Sequence, residues 1–128
     1  MIEIEELAKY IKPDTNGLPT LYYEGNLRSP ELQAEYEKAD KAKWIEFVKN
    51  SLNDNLFLPF INNFPYDLVN AYHFVVWINQ NHLDKIESIL ELVAKTDCAG
   101  FEYIYFQHQS QNKSIKNLIH FHFLLKKL

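Results

Sequence analysis

This sequence has little cysteine, little glycine and no long apolar segment. Cys98 is its single cysteine, which excludes an intrachain disulfide and a cysteine-rich zinc site and indicates a reducing compartment. With 3 glycines, the chain has no glycine-rich loop of the kind that cradles phosphate groups. No run reaches the roughly 20 apolar residues of a membrane span, and the acidic residues 1–6 lack the basic and apolar regions of a signal peptide. We therefore expect a protein of the cytoplasm, or of both the cytoplasm and the nucleus, with no membrane span.

An excess of basic residues is also missing. Asp and Glu number 17 against 13 Lys and Arg, and the formal net charge of -4 argues against a general nucleic-acid-binding protein, so we expect no DNA partner. The 128 residues, 47% of them hydrophobic and 15% aromatic, fit one globular domain with a real core. We expect residues 1–28 to form an N-terminal helix and loop extension and residues 29–128 to form the main body. A homodimer is compatible with this composition but is not required by it.

Hydrophobic spacing predicts an α+β domain. Ser29 before Pro30 marks the start of a long helix that runs to about Leu52, because Ser is a favoured N-cap and Pro a favoured first helical residue. Apolar residues at helical spacing predict another helix over 83–95. The remaining predicted elements are a short helix over 4–12 and strands over 56–60, 72–78, 101–107 and 118–125. This pattern predicts an antiparallel sheet with helices packed on one face and a histidine-lined groove on the other.

Three histidines fall on one face of the predicted sheet. Successive strand residues point to opposite faces, so His120 and His122 lie side by side, and His73 opens its strand on the same face. Neighbouring imidazoles can bind a phosphate, hold a metal ion, or act as nucleophile and acid. The alternative is a set of half-buried histidines that only fill the sheet surface. Tyr103 and Tyr105 are expected on the histidine face as an aromatic wall.

Four separated motifs carry a resemblance to known proteins. They are Arg28-Ser29-Pro30, Phe64-Pro65-Tyr66-Asp67, His73-Phe74-Val75-Val76-Trp77, and Lys113-Ser114-Ile115 leading to His120-Phe121-His122. The proline-containing loop, the histidine that opens an apolar strand and the last strand with alternating histidines resemble the histidine-triad (HIT) superfamily. In their order, the four motifs are more similar to a family of small proteins that includes fungal N-acetylglucosamine-induced proteins and relatives in large DNA viruses.

The resemblance implies a HIT-like fold and the chemistry of phosphate groups. In histidine-triad enzymes, the middle of three alternating histidines attacks an α-phosphate and forms a nucleotidyl intermediate. Here Leu118 and Leu124 occupy the flanking positions on the same face. The resemblance therefore leaves open whether His120 or His122 is the nucleophile.

These observations predict binding of a phosphorylated small molecule, a nucleotide or a nucleotide sugar, with phosphoester hydrolysis or nucleotidyl transfer through a histidine. We assign catalysis to His122 and His120, and expect His122 to matter more. The expected ligand-binding residues lie on the strands and in the loop before the last strand; they are His73, Trp77, Gln107, Lys113 and Ser114. His108, at a strand end, is expected to be exposed.

Two further interpretations stay open. A zinc-dependent hydrolase would use His73, His120 and His122 as ligands and leave one coordination position for water. The sequence itself assigns no metal and identifies no cofactor. A non-enzymatic interaction or regulatory protein on the same scaffold is the other interpretation.

Overall fold

Four α-helices and six strands make up the computed structural model, which describes residues 1–109 and 118–128. The helices are α1 (Ile4–Ala8), α2 (Pro30–Lys38), α3 (Lys41–Leu52) and α4 (Ile86–Thr96), and a 3₁₀ helix, Gln80–Lys85, leads into α4. The strands are β1 (Ile11–Pro13), β2 (Pro19–Leu21), β3 (Phe57–Ile61), β4 (Ala71–Ile78), β5 (Tyr103–His108) and β6 (Ile119–Lys126). Within the described ranges, no helix is long and apolar enough to cross a membrane.

The strands form one six-stranded mixed sheet in the order β1-β2-β5-β6-β4-β3. β2 pairs parallel with β5, and the other neighbours are antiparallel. The helices and this sheet confirm the predicted α+β class, but the parallel pair makes the sheet mixed and not antiparallel as predicted. β1 and β2 come from residues 1–28, which were expected to be a helix and a loop. This segment therefore extends the sheet rather than lying outside it.

The single helix predicted from Ser29 to Leu52 is two helices. Ser29 caps α2 as the sequence predicts, accepting a hydrogen bond from the Leu32 N–H at 3.2 Å. At Ala39 the backbone becomes extended, with ψ at 147°. Asp40 then caps α3 by accepting from the N–H at position 43 at 3.1 Å. The prediction is wrong here because the helical spacing of the neighbouring residues hides this N-cap.

Helices cover both faces of the sheet, so the prediction that they pack on one face is wrong. Phe121 and Phe123 are buried against α4, as predicted, in a cluster that includes Ile89, Leu90 and Val93. The opposite face is covered by α1 and α3 through two clusters, Val48, Leu52, Val75, Trp77 and Leu118 in one and Ile4, Leu7, Leu21, Tyr66, Phe106 and Leu124 in the other. This second face needs a cover because its side chains are also largely apolar, and apolar surface left in water costs about 25 cal/mol per Å².

Candidate functional site

Strand pairing brings the three predicted histidines together. In the antiparallel pair of β4 and β6, His73 lies opposite Leu124 and His120 lies opposite Trp77, with His122 between them. The ring centroids of His73 and His122 are 5.1 Å apart, and those of His120 and His122 are 5.3 Å apart. All three side chains lie on the face that α1 and α3 cover. The structure therefore places the three imidazoles in one cluster.

This histidine cluster is buried. His73, His120 and His122 expose 6%, 6% and 5% of their surface. They lie beneath helices and loops, and not on an uncovered sheet face as one-sided helix packing implied. Each ring therefore contributes packing as well as polar chemistry.

A hydrogen bond joins His73 and His122. Nε2 of His73 and Nδ1 of His122 are 2.9 Å apart. The backbone N–H of Tyr66 donates to Nδ1 of His73 at 3.2 Å, and the side-chain amide nitrogen of Asn62 lies 3.3 Å from Nε2 of His73. Both of these partners lie in the loop between β3 and β4. The Phe-Pro-Tyr-Asp motif of that loop thus holds His73 through the backbone of Tyr66.

Tyr66 and His108 belong to the same cluster, although the sequence pattern assigned neither to the site. The Tyr66 hydroxyl hydrogen-bonds Nε2 of His108 and lies 3.4 Å from both ring nitrogens of His122. β5 brings His108 here because Phe106 pairs with His122 across β5 and β6, and residues two apart in a strand share a face. The expectation that His108 is exposed is wrong, since it is half-buried against Tyr66.

Phe106, rather than Tyr105, faces the histidines. Its ring stacks on His122 with centroids 5.6 Å apart. Tyr105 stacks on Phe123 at 5.0 Å, on the side of α4, and burial there raises the pKa of its hydroxyl. Tyr103 stacks in turn on Tyr105 at 6.3 Å. The tyrosine wall expected on the histidine face therefore lies on the other side of the sheet.

His120 makes a different hydrogen bond from the other two histidines. Its Nδ1–H donates to the backbone carbonyl of Leu118 at 3.0 Å, because a carbonyl oxygen can only accept. The neutral ring therefore carries its lone pair on Nε2. Trp77 packs against this ring at 4.5 Å between centroids, and Trp44 meets Trp77 edge-on at 4.8 Å. Nε2 of His120 is the nitrogen that can act as a base or a nucleophile.

Burial keeps the centre of the cluster neutral. Desolvation, reinforced by the charges of Arg28 and His108, lowers the pKa of His73 to about 3. Desolvation also holds the pKa of His122 well below its usual value, and the neighbouring histidines add to this effect. Burial raises the pKa of the Tyr66 hydroxyl, which stays protonated. At neutral pH, His73 and His122 therefore act as neutral hydrogen-bonding groups and not as cations.

A groove of about 1640 Å³ opens over His120, His122 and Trp77. Segment 22–28, the helices α2 and α3 and the strand β3 enclose it. Its further aromatic lining is Tyr22, Tyr23, Tyr36, Trp44, Phe47, Phe60, Phe64 and Tyr66, and its other ionisable lining is Glu24, Arg28, Asp40, Lys41 and His108. Among the described residues, His73 is not part of this lining. Its ring nitrogens contact Asn62, Tyr66 and His122, and its predicted direct contact with a ligand stays a prediction.

Two cations share one aromatic ring in the groove wall. The Arg28 guanidinium carbon is 4.1 Å from the Tyr36 ring centroid, and the Lys41 Nζ is 4.4 Å from the same centroid. Arg28 also donates from Nε to the Phe64 carbonyl at 2.7 Å and lies 5.4 Å from the Tyr66 ring centroid. Arg28 therefore connects the groove wall to the histidine cluster.

The other predicted ligand-binding residues lie elsewhere. The Gln107 amide donates to Asp14 Oδ2 at 2.9 Å and to the Thr20 hydroxyl at 3.2 Å, on the opposite face of β5 from Phe106. Gln107 therefore does not join the histidine groove. Lys113 and Ser114 lie outside the described residues.

The zinc interpretation finds no matching geometry. Within residues 1–109 and 118–128, no three His, Cys, Asp or Glu side chains are grouped so that they could hold a metal ion. The ring nitrogens of His73 and His122 that face each other do so at 2.9 Å, which is a hydrogen-bond distance. This arrangement favours a direct contact between the two rings over a metal ion shared by them.

Comparisons with known proteins identify a fold relative. No protein-family model and no curated protein matches the chain. A solved structure described as "Crystal Structure of HTC1" is similar, with a TM-score of 0.55 and 17% sequence identity over 79% of this chain and 76% of that chain. At this identity the similarity supports the α+β fold and carries no statement about activity.

Proposed function

We propose that the groove binds a phosphorylated small molecule, with nucleotides and nucleotide sugars as the ligand class. The observation that carries the proposal is the pair of cations on Tyr36. In a chain of net charge -4, Arg28 and Lys41 bring two positive charges to one ring. Within the described ranges neither of them forms a salt bridge. A guanidinium and an ammonium without a carboxylate partner are suited to phosphate oxygens.

The rest of the lining suits the other parts of such a ligand. Exposed aromatic rings such as Trp44, which is 37% exposed, offer a surface on which a base can stack. Base stacking on an aromatic side chain contributes about 1–3 kcal/mol. The groove volume of about 1640 Å³ also accommodates a ligand larger than a mononucleotide, such as a nucleotide sugar.

The same proposal includes a HIT-like domain in which His120 attacks phosphorus. A nucleophilic imidazole needs a lone pair, and the hydrogen bond to Leu118 leaves that lone pair on Nε2 of His120. This atom would form the N–P bond while the P–O bond to the leaving group breaks, and the leaving group takes the electron pair and a proton from solvent. Water would then hydrolyse the histidine intermediate. The sequence led us to expect His122 to matter more, but the hydrogen bonds of the two rings favour His120 as the nucleophile.

The binding proposal is tested by thermal unfolding with matched ligands. AMP and a uridine diphosphate sugar should stabilise the protein, and adenosine should do so far less, because only the phosphorylated compounds engage Arg28 and Lys41. At a concentration 100 times the dissociation constant, a ligand adds about 2.7 kcal/mol to the free energy of unfolding. Lys41→Ala should weaken AMP binding about tenfold, which corresponds to the loss of one charged hydrogen bond.

Lys43→Ala is the matched control for this test. Lys43 lies two residues away on the same helix, is exposed and does not line the groove. The Lys43→Ala variant removes the same charge from the protein as Lys41→Ala. Because Lys43 lies outside the groove, this variant should leave AMP affinity nearly unchanged. If both variants lost AMP affinity equally, the effect would come from the net charge of the protein and not from the groove. Equal binding of AMP and adenosine would contradict the proposal.

The role of His120 is tested by single-turnover assays with a nucleotide sugar. His120→Ala should reduce the rate at least about a hundredfold and leave ligand affinity within a few-fold, because attack at phosphorus follows binding. His122→Gln should lose mainly affinity. A rate that survives in His120→Ala would exclude His120 as the nucleophile. Binding without turnover in the unmodified chain would favour the non-enzymatic interpretation.

A further inference from the structure

His73 does not reach the groove, yet the hydrogen bonds around it determine which atom His122 presents. A backbone N–H can only donate, so the Tyr66 N–H at 3.2 Å requires an unprotonated Nδ1 on His73. The neutral ring of His73 then carries its proton on Nε2. That atom lies 2.9 Å from Nδ1 of His122 and 3.3 Å from the amide nitrogen of Asn62.

The two neighbours of this proton are not equivalent. The Asn62 side-chain oxygen accepts from the Phe64 N–H at 2.8 Å, which identifies the atom facing His73 as the amide nitrogen, a donor. Nδ1 of His122 is therefore the acceptor for the His73 proton, and it is also the closer atom. A neutral imidazole carries one proton, so the proton of His122 must lie on Nε2.

We propose that His73 is a positioning residue that holds His122 in the tautomer with its proton on Nε2. His122 lines the groove and then has a neutral N–H donor at Nε2, 3.4 Å from the Tyr66 hydroxyl oxygen, with no lone pair there that could attack phosphorus. Its partner on the ligand is an acceptor oxygen. That this oxygen belongs to a phosphoryl group rests on the proposed function, whereas the tautomer does not.

The two groove histidines thereby take complementary roles. His120 donates from Nδ1 to a backbone carbonyl and keeps a lone pair on Nε2, and His122 accepts at Nδ1 and keeps a proton on Nε2. One ring can attack or accept a proton, and the other can hold an oxygen in place. Only 6% of the His73 surface and 5% of the His122 surface are exposed. Water therefore has little access to these rings, and tautomer exchange through solvent is restricted.

Long-range ¹H–¹⁵N NMR spectra of the full chain with ¹⁵N-labelled histidine test the tautomer directly. At neutral pH, the spectra should show a protonated Nε2 and a bare Nδ1 for His73 and for His122, and the reverse for His120. A proton on Nδ1 of His122, or a cationic His122 ring, would overturn the proposal. This spectrum needs no ligand, so it is independent of whether a phosphorylated compound binds.

Two variants of His73 separate positioning from packing. His73→Phe keeps a ring but removes the donor, so His122 should populate both tautomers and AMP affinity should fall about tenfold. His73→Gln has an amide that can both accept from Tyr66 and donate to His122, so it should keep the His122 tautomer and most of the affinity. If His73→Phe does not fold, the spectrum of the unmodified chain still tests the tautomer, and a His122 proton on Nδ1 in His73→Gln would overturn the positioning role.

The outcomes distinguish this inference from the proposed function. The expected tautomers with no binding of AMP or of a nucleotide sugar would remove the proposed function and leave the positioning role of His73 standing. An unchanged His122 tautomer in His73→Phe would overturn the positioning role, whatever happens to AMP affinity.

Discussion

Lowering the pH from 7 to 5 should reduce the free energy of unfolding by about 4 kcal/mol. Burial lowers the pKa of His73 to about 3 and holds that of His122 well below its usual value. In the unfolded chain both groups titrate near pH 6.5, so below that pH the unfolded state binds protons that the folded state does not. Linkage then removes about 1.4 kcal/mol per pH unit for each histidine, or about 2 kcal/mol each over this interval. Above about pH 6.5 both states are neutral at these two histidines and the free energy of unfolding is not reduced. The reduction grows as the pH falls from about 6.5 toward the pKa of the folded state.

Urea unfolding followed by tryptophan fluorescence at pH 7 and pH 5 measures this loss. His73→Gln removes one of the two groups and should reduce the difference to about 2 kcal/mol. His82→Asn is the control, because His82 is half-buried outside the cluster, and this variant should keep the full difference. A free energy of unfolding that is the same at both pH values would contradict the neutral, buried state of the two histidines.

Phe121→Ala should lower the free energy of unfolding by about 3–5 kcal/mol, since it removes a large side chain from a packed core. Phe121 is fully buried against Val93 and other residues of α4. Phe47→Ala makes the same chemical change at a side chain that is 57% exposed, and it should cost less than about 1 kcal/mol. Chemical denaturation of both variants gives the comparison. Similar losses from the two would mean that the sheet face toward α4 is not the main core.

The local pattern of the sequence predicts the elements near the site well. A period of two in residues 72–78 and 118–125 is enough to place His73, His120 and His122 on one face, because alternation is fixed by strand geometry alone. The N-cap at Ser29 is likewise a local signal, and α2 begins where it predicts. Asp40, the N-cap of α3, is also a local signal for the break between α2 and α3. An aspartate is common on a polar helix face as well as at an N-cap, so this signal is ambiguous.

The second helix layer was harder to predict. The face of β4 and β6 that carries the histidines also carries Val75, Trp77 and Leu124, so both faces of these strands are largely apolar. Strands that are apolar on both faces indicate a sheet covered on both sides. The helices that cover the histidines are there because Val75, Trp77 and Leu124 on the same face are apolar.

Long-range contacts account for the rest of the site. Tyr66 comes from the loop before β4 and His108 from the end of β5, and they meet only because Phe106 pairs with His122. A shift of one residue in that pairing would turn Tyr105 toward the histidines, as the sequence led us to expect. The register of β5 against β6 is set by packing of the whole sheet, which no local pattern encodes. Arg28 reaches the cluster in the same way, across 36 positions of sequence to Phe64.

A crystal structure of the protein with AMP would show directly whether the groove binds a phosphate group. One phosphate oxygen should lie within about 3 Å of the Arg28 guanidinium or Lys41 Nζ, and another within about 3 Å of Nε2 of His122. AMP bound outside this groove, for example beside Gln107 on the other face of β5, would contradict the account. So would AMP in the groove with its phosphate turned to solvent, away from Arg28, Lys41 and His122.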